Sequence, residues 1–333
     1  MKFLILLVAT VALSRANDDT ARLQLAADNP QKLQALFTEF RKENNRQYLN
    51  PVEARMRMSI FRNFVKEAAN INANQDDITV GVTFFADLTA EEKAAYHGAN
   101  FTTQNGEVQE SIEEAAPAVW GSVSHKHHYG PIKQQGTCGS CWAFATVGMT
   151  EGWQSKLTGR YTSLSEKQVL DCSGCGTCHS GYHTNAMNWI KSRNNLASTY
   201  SYPYRPVQER CQNGKPNSMT IRVNSVSTVY GDSNMARALN SGPVVFFLYN
   251  FHGVAVEGYK SGVLQAHHHG PSAPQNHVVV GVGYTSSSWE MRNSWGTNWG
   301  QRGYFFKSRG DSVVASNVLT MSAARLGQEE KEE

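Results

Sequence analysis

Apolar side chains recur at helical spacing early in the chain, at Leu33, Leu36, Phe37 and Phe40, and again at Met56, Ile60, Phe61 and Phe64. The positions around them are rich in Gln, Glu, Ala and Arg, so the spacing predicts helix through residues 30–75. Asn50-Pro51 breaks this pattern and predicts a second start, since proline is tolerated at the first helical position. The stretch VTFFADLTAEE (82–92) alternates briefly and then predicts another helix, with Thr89 as N-cap and Glu92 at the capping-box position. Residues 100–118 are polar, acidic and without period, which predicts an exposed linker open to proteolysis.

The pattern changes further on. Residues 141 to about 155, 163–171 and 183–194 predict three helices, the second capped by Ser163 or Ser165. After Gly242-Pro243 the runs PVVFFLY, HVVVGVGY, SWEMRNSW and GYFFKS are β-branched or aromatic and separated by Gly, Ser and Asn, which predicts strands. A helix-rich stretch followed by a strand-rich one points to an α+β protein with two segregated halves.

The opening MKFLILLVATVALSRAN sets the compartment. One lysine, an apolar run too short to span a bilayer, and small residues at Ser14 and Ala16 predict a signal peptide over 1–16. A secretory route follows, to the exterior or to an acidic lysosome-like compartment, where disulfides persist. Charge then divides the rest. Residues 17–116 carry 10 Lys and Arg against 16 Asp and Glu, a balance of −6, whereas residues 117–325 carry 18 against 8, a balance of +10. An acidic front should be attracted to a basic remainder. The basic residues are scattered and no nucleic-acid motif is present, so neither nucleic acid nor membrane is expected as a partner.

Six cysteines remain to be placed: Cys138, Cys141, Cys172, Cys175, Cys178 and Cys211. The segment QQGTCGSCWAFA (134–145) admits a redox pair, half a zinc site, a disulfide cysteine beside a nucleophile, or an ordinary helix start. A thioredoxin-like pair needs a βαβ context that the pattern lacks, and 30 residues separate the two cysteine groups, long for a zinc ribbon. A nucleophile needs a base, a group orienting that base, and an oxyanion donor. Cys141 opens a helix whose dipole favours thiolate. His277 stands 136 residues later, Asn293 152 residues later, and Gln135 six residues earlier.

With these residues in view the chain resembles the papain/cathepsin family of cysteine peptidases. The resemblance rests on Gln135-Gly136, Cys138-Gly139-Ser140-Cys141-Trp142, Leu164-Ser165-Glu166, Tyr202-Pro203-Tyr204, His277 before an apolar strand, and Asn293-Ser294-Trp295-Gly296. Nearly all of 117–318 is covered. The front is similar to cathepsin-L-like prosegments at Glu53, Arg57, Phe61 and Asn72, then Gly81, Phe85 and Asp87, with Phe64, Ala68 and Thr83 departing from that pattern. The resemblance implies a two-lobed papain-like fold, one lobe helical and one β-barrel-like, behind an inhibitory prosegment. The implied layout is signal peptide 1–16, propeptide 17–116, and peptidase domain 117–333 with an acidic tail.

The resemblance also assigns roles. Cys141 is the nucleophile, His277 pairs with it as imidazolium, Asn293 orients the imidazole, Trp295 shields that bond, and the Gln135 amide with the Cys141 N–H forms the oxyanion hole. Gly181, Tyr182, Val278 and Asn317 are expected to bind substrate. The implied disulfides are Cys138–Cys178 and Cys172–Cys211. Cys175 is left over: it is free, pairs between chains, or competes with Cys178 for Cys138. Protein and peptide substrates, the chain's own propeptide and cystatin-like inhibitors are the expected partners of a monomer that needs no cofactor or metal. An exopeptidase and a catalytically silent binding homologue are the alternatives. Asn100-Phe101-Thr102 is a glycosylation acceptor. The clusters His125-Lys126-His127-His128 and His267-His268-His269 are expected as solvated loops that gain charge in acid.

Overall fold

The computed structural model describes residues 20–100, 121–269 and 276–326. The expected signal peptide, the linker expected to be cut, most of the Asn100 acceptor triplet and the acidic tail lie outside them.

Helices α1 (Pro30–Glu43) and α2 (Pro51–Asn74) begin alike. Asn29 and Asn50 each accept two N–H groups of the first turn, and proline follows at the first helical position. Phe61 of α2 lies 5.0 Å from both Phe37 and Phe40 of α1, ring centre to ring centre, which fixes the crossing. Arg57 ties α2 to Glu92 in the short α3 (Ala90–Ala94), where Glu92 and Thr89 also close a capping box.

The alternation at 82–87 does not form a strand. The strand β1 (Ile78–Val80) comes just before it, held by Asn72, whose amide both donates to and accepts from the backbone of Val80. Residues 83–88 turn instead, and the turn buries Phe85 and Ala86. A two-residue strand β2 (Ala99–Asn100) ends the described prosegment.

Beyond β3 (Val123–Ser124) the chain folds in two halves. The helical half holds α4 (Cys141–Thr158), α5 (Glu166–Cys172) and α6 (His183–Arg193), with β4 (Gly181–Tyr182) leading into α6. Helix α4 is apolar on nearly every side and buried from Cys141 to Ser155, as a central helix must be. Ser165 caps α5 by accepting the N–H of Gln168. Disulfides Cys138–Cys178 and Cys172–Cys211 staple this half, and Cys175 is free and buried.

The other half is built on β5 (Ile221–Tyr230), β6 (Val244–Leu248), β7 (Tyr259–Leu264), β8 (His277–Tyr284), β9 (Ser288–Arg292), β10 (Tyr304–Ser308) and β11 (Val314–Arg325), with α7 (Asp232–Ser241) and α8 (Val254–Glu257) between strands. The sheet order is β1-β7-β10-β9-β8-β6-β11-β5, with β3 on β8. Strand β8 is buried throughout: Val278, Val280 and Val282 face the core shared with α4, and Val279 faces a second core that includes Phe37, Phe61 and Phe85. No described helix is long and apolar enough to cross a membrane.

The prosegment reaches both halves. Strand β1 extends the sheet antiparallel to β7, and β2 pairs parallel with β4 of the helical half. Among the described residues an ion pair across the contact joins Lys93 to Glu257, in the opposite sense to the −6 and +10 balances, and Asp77 lies 3.8 Å from His267 in the same sense.

The histidine clusters are not simply solvated. His125 is buried and its Nε2 lies 2.6 Å from the Leu239 carbonyl oxygen; His268 is also buried. Burial pushes His125 below its ordinary pKa, His128 and His268 to about 4 and His269 to about 3, so these four resist charging in mild acid.

Candidate active site

The loop into α4 makes its turn with Gly136 in the left-handed region and brings Cys141 to the helix start. His277 begins β8, and Asn293 follows the end of β9, its neighbour in the sheet. Adjacent strands thus place Asn293 Oδ1 2.8 Å from His277 Nε2. That oxygen also accepts the Ser294 N–H at 2.8 Å, so it is an acceptor and Nε2 carries the proton. The lone pair of His277 is therefore on Nδ1, which has no hydrogen-bond partner in the closed chain. Trp295, fully buried, lies 4.7 Å from the His277 ring and covers this bond.

Gln135 is held from three sides. Its N–H donates to the Ser294 carbonyl, its carbonyl accepts from the Tyr204 hydroxyl, and its Oε1 accepts from the Ser294 hydroxyl at 2.6 Å. The last bond decides the amide orientation: Nε2 must face the other way, where it donates to the Tyr96 and Cys138 carbonyls, each at 3.0 Å. Ser294 and Tyr204 were visible in the sequence only as parts of motifs; a hydroxyl's partner across 159 residues has no local signal.

The prosegment occupies this site with its backbone. Tyr96 places its carbonyl on Gln135, Gly98 accepts from the Gly181 N–H at 2.8 Å, and Ala99 and Asn100 pair with Gly181 and Tyr182. A Cβ on Gly98 would stand 2.2 Å from the Gly139 carbonyl oxygen, and one on Gly181 would stand 2.3 Å from the Trp142 ring. Glycine at both positions lets the two chains lie against each other and against α4. Ala99 and Val278 share one buried core, and Tyr182 is half-buried beside them in sequence with Gly181. Asn317 sits on β11 opposite Tyr230 and is half-exposed; no described contact joins it to Val278.

Burial sets the electrostatics. It pushes the Cys141 thiol up to about 11, only partly offset by the backbone of Val278, Gly98 and Trp142. It pushes His277 down to about 4, opposed by the bond to Asn293. In the closed chain the pair is thus thiol and neutral imidazole. Burial thus works against both charges of the thiolate–imidazolium pair that the resemblance implies.

One other cluster has metal-donor types: Asp77, His267 and His268. His268 Nδ1 accepts the Gln265 N–H at 2.9 Å. Its Nε2 therefore bears the proton and offers no lone pair, which leaves two exposed donors, too few for a built site.

A buried thiol at a helix start in the helical half, and an amide-bonded imidazole at a strand start in the sheet half, fit the layout of a two-lobed thiol hydrolase. Comparison with known proteins gives the family. Residues 116–324 match the model described as papain family cysteine protease, and residues 37–92 match the cathepsin propeptide inhibitor domain (I29). Cysteine proteinase 3 of Entamoeba histolytica is 31% identical over 291 residues, 82% of this chain and 88% of that protein. Fruit bromelain of Ananas comosus is 32% identical over 306 residues, 87% of this chain and 84% of that one. Among solved structures, a recombinant stem bromelain precursor aligns with TM-score 0.75 and 29% identity, covering 88% of this chain and 99% of that one. Digestive procathepsin L 3 of Tenebrio molitor larval midgut aligns with TM-score 0.74 and 26% identity, covering 87% and 99%. The chain belongs to the papain family of cysteine peptidases and carries the family's propeptide inhibitor domain.

Proposed function

We propose that this cysteine peptidase is an endopeptidase, made as a zymogen and working through Cys141, His277 and Asn293 with Gln135 as an oxyanion donor. The observation that carries the reading is the convergence of these four residues on one backbone segment, with the Tyr96 carbonyl held by the Gln135 amide. The layout is signal peptide 1–16, propeptide 17–116 and peptidase domain 117–333. The route is secretory, to the exterior or to an acidic lysosome-like compartment. The enzyme acts as a monomer that cystatin-like inhibitors can occupy.

In the open enzyme, solvent returns to the cleft. Cys141 then loses its proton to His277 Nδ1, and the helix start favours the thiolate. The sulfur attacks the substrate carbonyl, whose developing charge is met by Gln135 Nε2 and the Cys141 N–H. His277 returns the proton to the leaving amine while Asn293 keeps the ring in place. Water then attacks the thioester, His277 takes its proton, and the thiolate leaves. In the closed chain burial raises the pKa of the Cys141 thiol, which works against the attacking thiolate.

An epoxide affinity label tests the assignment. After acid treatment the label is expected on the peptide containing Cys141 and not on Cys175, with loss of peptide hydrolysis. Full activity with Cys141 unlabelled would overturn it.

A further inference from the structure

We propose that His97 is the acid-sensing release element of the prosegment: a neutral imidazole is required to close the cleft, and protonating it drives residues 96–100 off the catalytic pair. The proposal rests on the zymogen reading above.

His97 lies between the two backbone contacts that block the site, the Tyr96 carbonyl on Gln135 and the Gly98 carbonyl on Gly181. Its ring is buried and stands edge-on to two rings of the active site, 5.8 Å from His277 and 5.6 Å from Trp295. Neither of its ring nitrogens has a hydrogen-bond partner. A neutral ring in that position leaves one donor unmet, whereas a protonated ring would bury two donors and a charge.

The surroundings supply no compensation. Burial, then His277 at the start of β8, then His252 in the loop after β6, all hold its pKa well below the ordinary value. The remaining titratable group at this contact is the Cys141 thiol at the start of α4, next to the Gly98 backbone and itself neutral. Among the described residues no carboxylate acts on the ring.

The sign follows from linkage. In the closed chain burial disfavours the charged form of His97, and in the open chain it is a free histidine with a pKa of about 6.5. The closed state is therefore unaffected by His97 above about pH 6.5, and loses ground about tenfold per pH unit below it. The buried prosegment carboxylate Asp87 works in the opposite direction. Burial raises its pKa, so acid favours its docked, protonated form. Within the prosegment itself Glu92, lowered by its bond to Arg57, adds an acid-labile contact remote from the cleft.

The test uses the full chain and brief iodoacetamide pulses between pH 7.5 and 4.5, with alkylation mapped at Cys141 as the measure of opening. Wild type is compared with His97→Gln and His97→Phe, so the intrinsic pH dependence of the thiol cancels in the ratio. The expected ratio of wild-type to variant labelling is flat above pH 6.5 and rises towards about a hundredfold at pH 4.5. The phenylalanine variant keeps a flat ring without a titratable nitrogen and guards against a packing effect in the other. A ratio flat to within threefold would overturn the proposal. So would two variants labelled at pH 7.5 as fast as wild type is when opened by acid, since His97 would then only fill space. Failure of the parent reading looks different: the matured chain, identical for all three, would hydrolyse no peptide while the labelling ratio stayed readable.

Discussion

The prosegment grips the enzyme twice, by different means. At the sheet edge it uses side chains and a strand: β1 pairs with β7, the Gly81 N–H donates to the Gly258 carbonyl, the Thr83 hydroxyl donates to the Glu257 carbonyl at 2.7 Å, and Phe85 packs edge-on to Trp295 at 4.9 Å. In the cleft it uses mainly backbone, through Tyr96, Gly98 and the two residues of β2, with glycine where a side chain would collide. The first contact buries large apolar side chains, Phe85 above all, and the second buries residues 96–99 against the thiol and the imidazole. Anchoring and inhibition are thus separable, and breaking either should give a different phenotype.

The largest expected effect removes chemistry and leaves both grips. Cys141→Ala should reduce peptide hydrolysis to background, and His277→Ala nearly so, with the folded chain intact in a thermal melt. Alanine is a good helix former and fills a buried helix start without strain. Asn293→Ala should be milder, since it orients the imidazole and transfers no proton. Wild-type turnover in Cys141→Ala would refute the assignment of the nucleophile.

The next effect loosens the anchor alone. Phe85 is fully buried among Trp295, Tyr96 and Phe84. Truncating such a ring costs about 3–5 kcal/mol, more than two decades in an equilibrium constant. Phe85→Ala should therefore let Cys141 be alkylated rapidly even at pH 7.5. Replacing both members of the ion pair together, Lys93→Met with Glu257→Gln, leaves no buried charge alone and should act far less, by about 1 kcal/mol or below. A larger effect from this pair would show that charge, not apolar burial, anchors the prosegment.

The two grips also differ in how far the sequence reveals them. The helices α1, α2 and α3 follow from apolar spacing, asparagine caps and a capping box, and α4, α6 and β8 from local runs. Strands β5, β7 and β11 carry no such run, because each mixes polar residues with its β-branched ones and gains its place by pairing with distant strands. The site residues Cys141, His277, Asn293 and Gln135 are legible as a spacing; their meeting depends on the β8–β9 register and on the loop at Gly136. His97 carries no local signal at all. A histidine between tyrosine and glycine reads as surface until the fold lays it against His277. The solvated reading of His125 and His268 fails for the same reason: burial comes from tertiary neighbours, not from the run of histidines.

A smaller effect concerns the oxyanion donor. Removing the Gln135 amide with Gln135→Ala should cost about a hundred- to a thousandfold in kcat. Ser294→Ala leaves the amide but frees it to turn, and leaves the Oε1 acceptor unmet in a buried place, a cost of about 1–3 kcal/mol. A fall in kcat of about tenfold with KM unchanged is expected, which marks an interaction made only as charge develops. A change confined to KM would show that Ser294 shapes substrate binding instead.

The smallest expected effect concerns what enters the cleft when the backbone segment leaves. Ala99, one residue past Gly98, shares a buried core with Val278, the residue after the catalytic imidazole. At Val278 itself, valine fills volume that alanine would leave open. A shallow pocket preferring Val, Leu or Pro over Phe or Tyr two positions before the cut is the expected result, with Tyr182 as a further wall. One methylene in such a pocket is worth roughly 1–3 kcal/mol of discrimination. Comparing kcat/KM on matched substrates with Val or Phe at that position, Val278→Ala should shift the ratio towards Phe by about tenfold or more. Asn317, lying on β11 away from any described contact with Val278, should change this ratio less when replaced by alanine. If the wild-type enzyme already prefers Phe, or if Asn317→Ala moves the ratio more than Val278→Ala does, the pocket is not built on Val278 and the cleft segment is no guide to substrate.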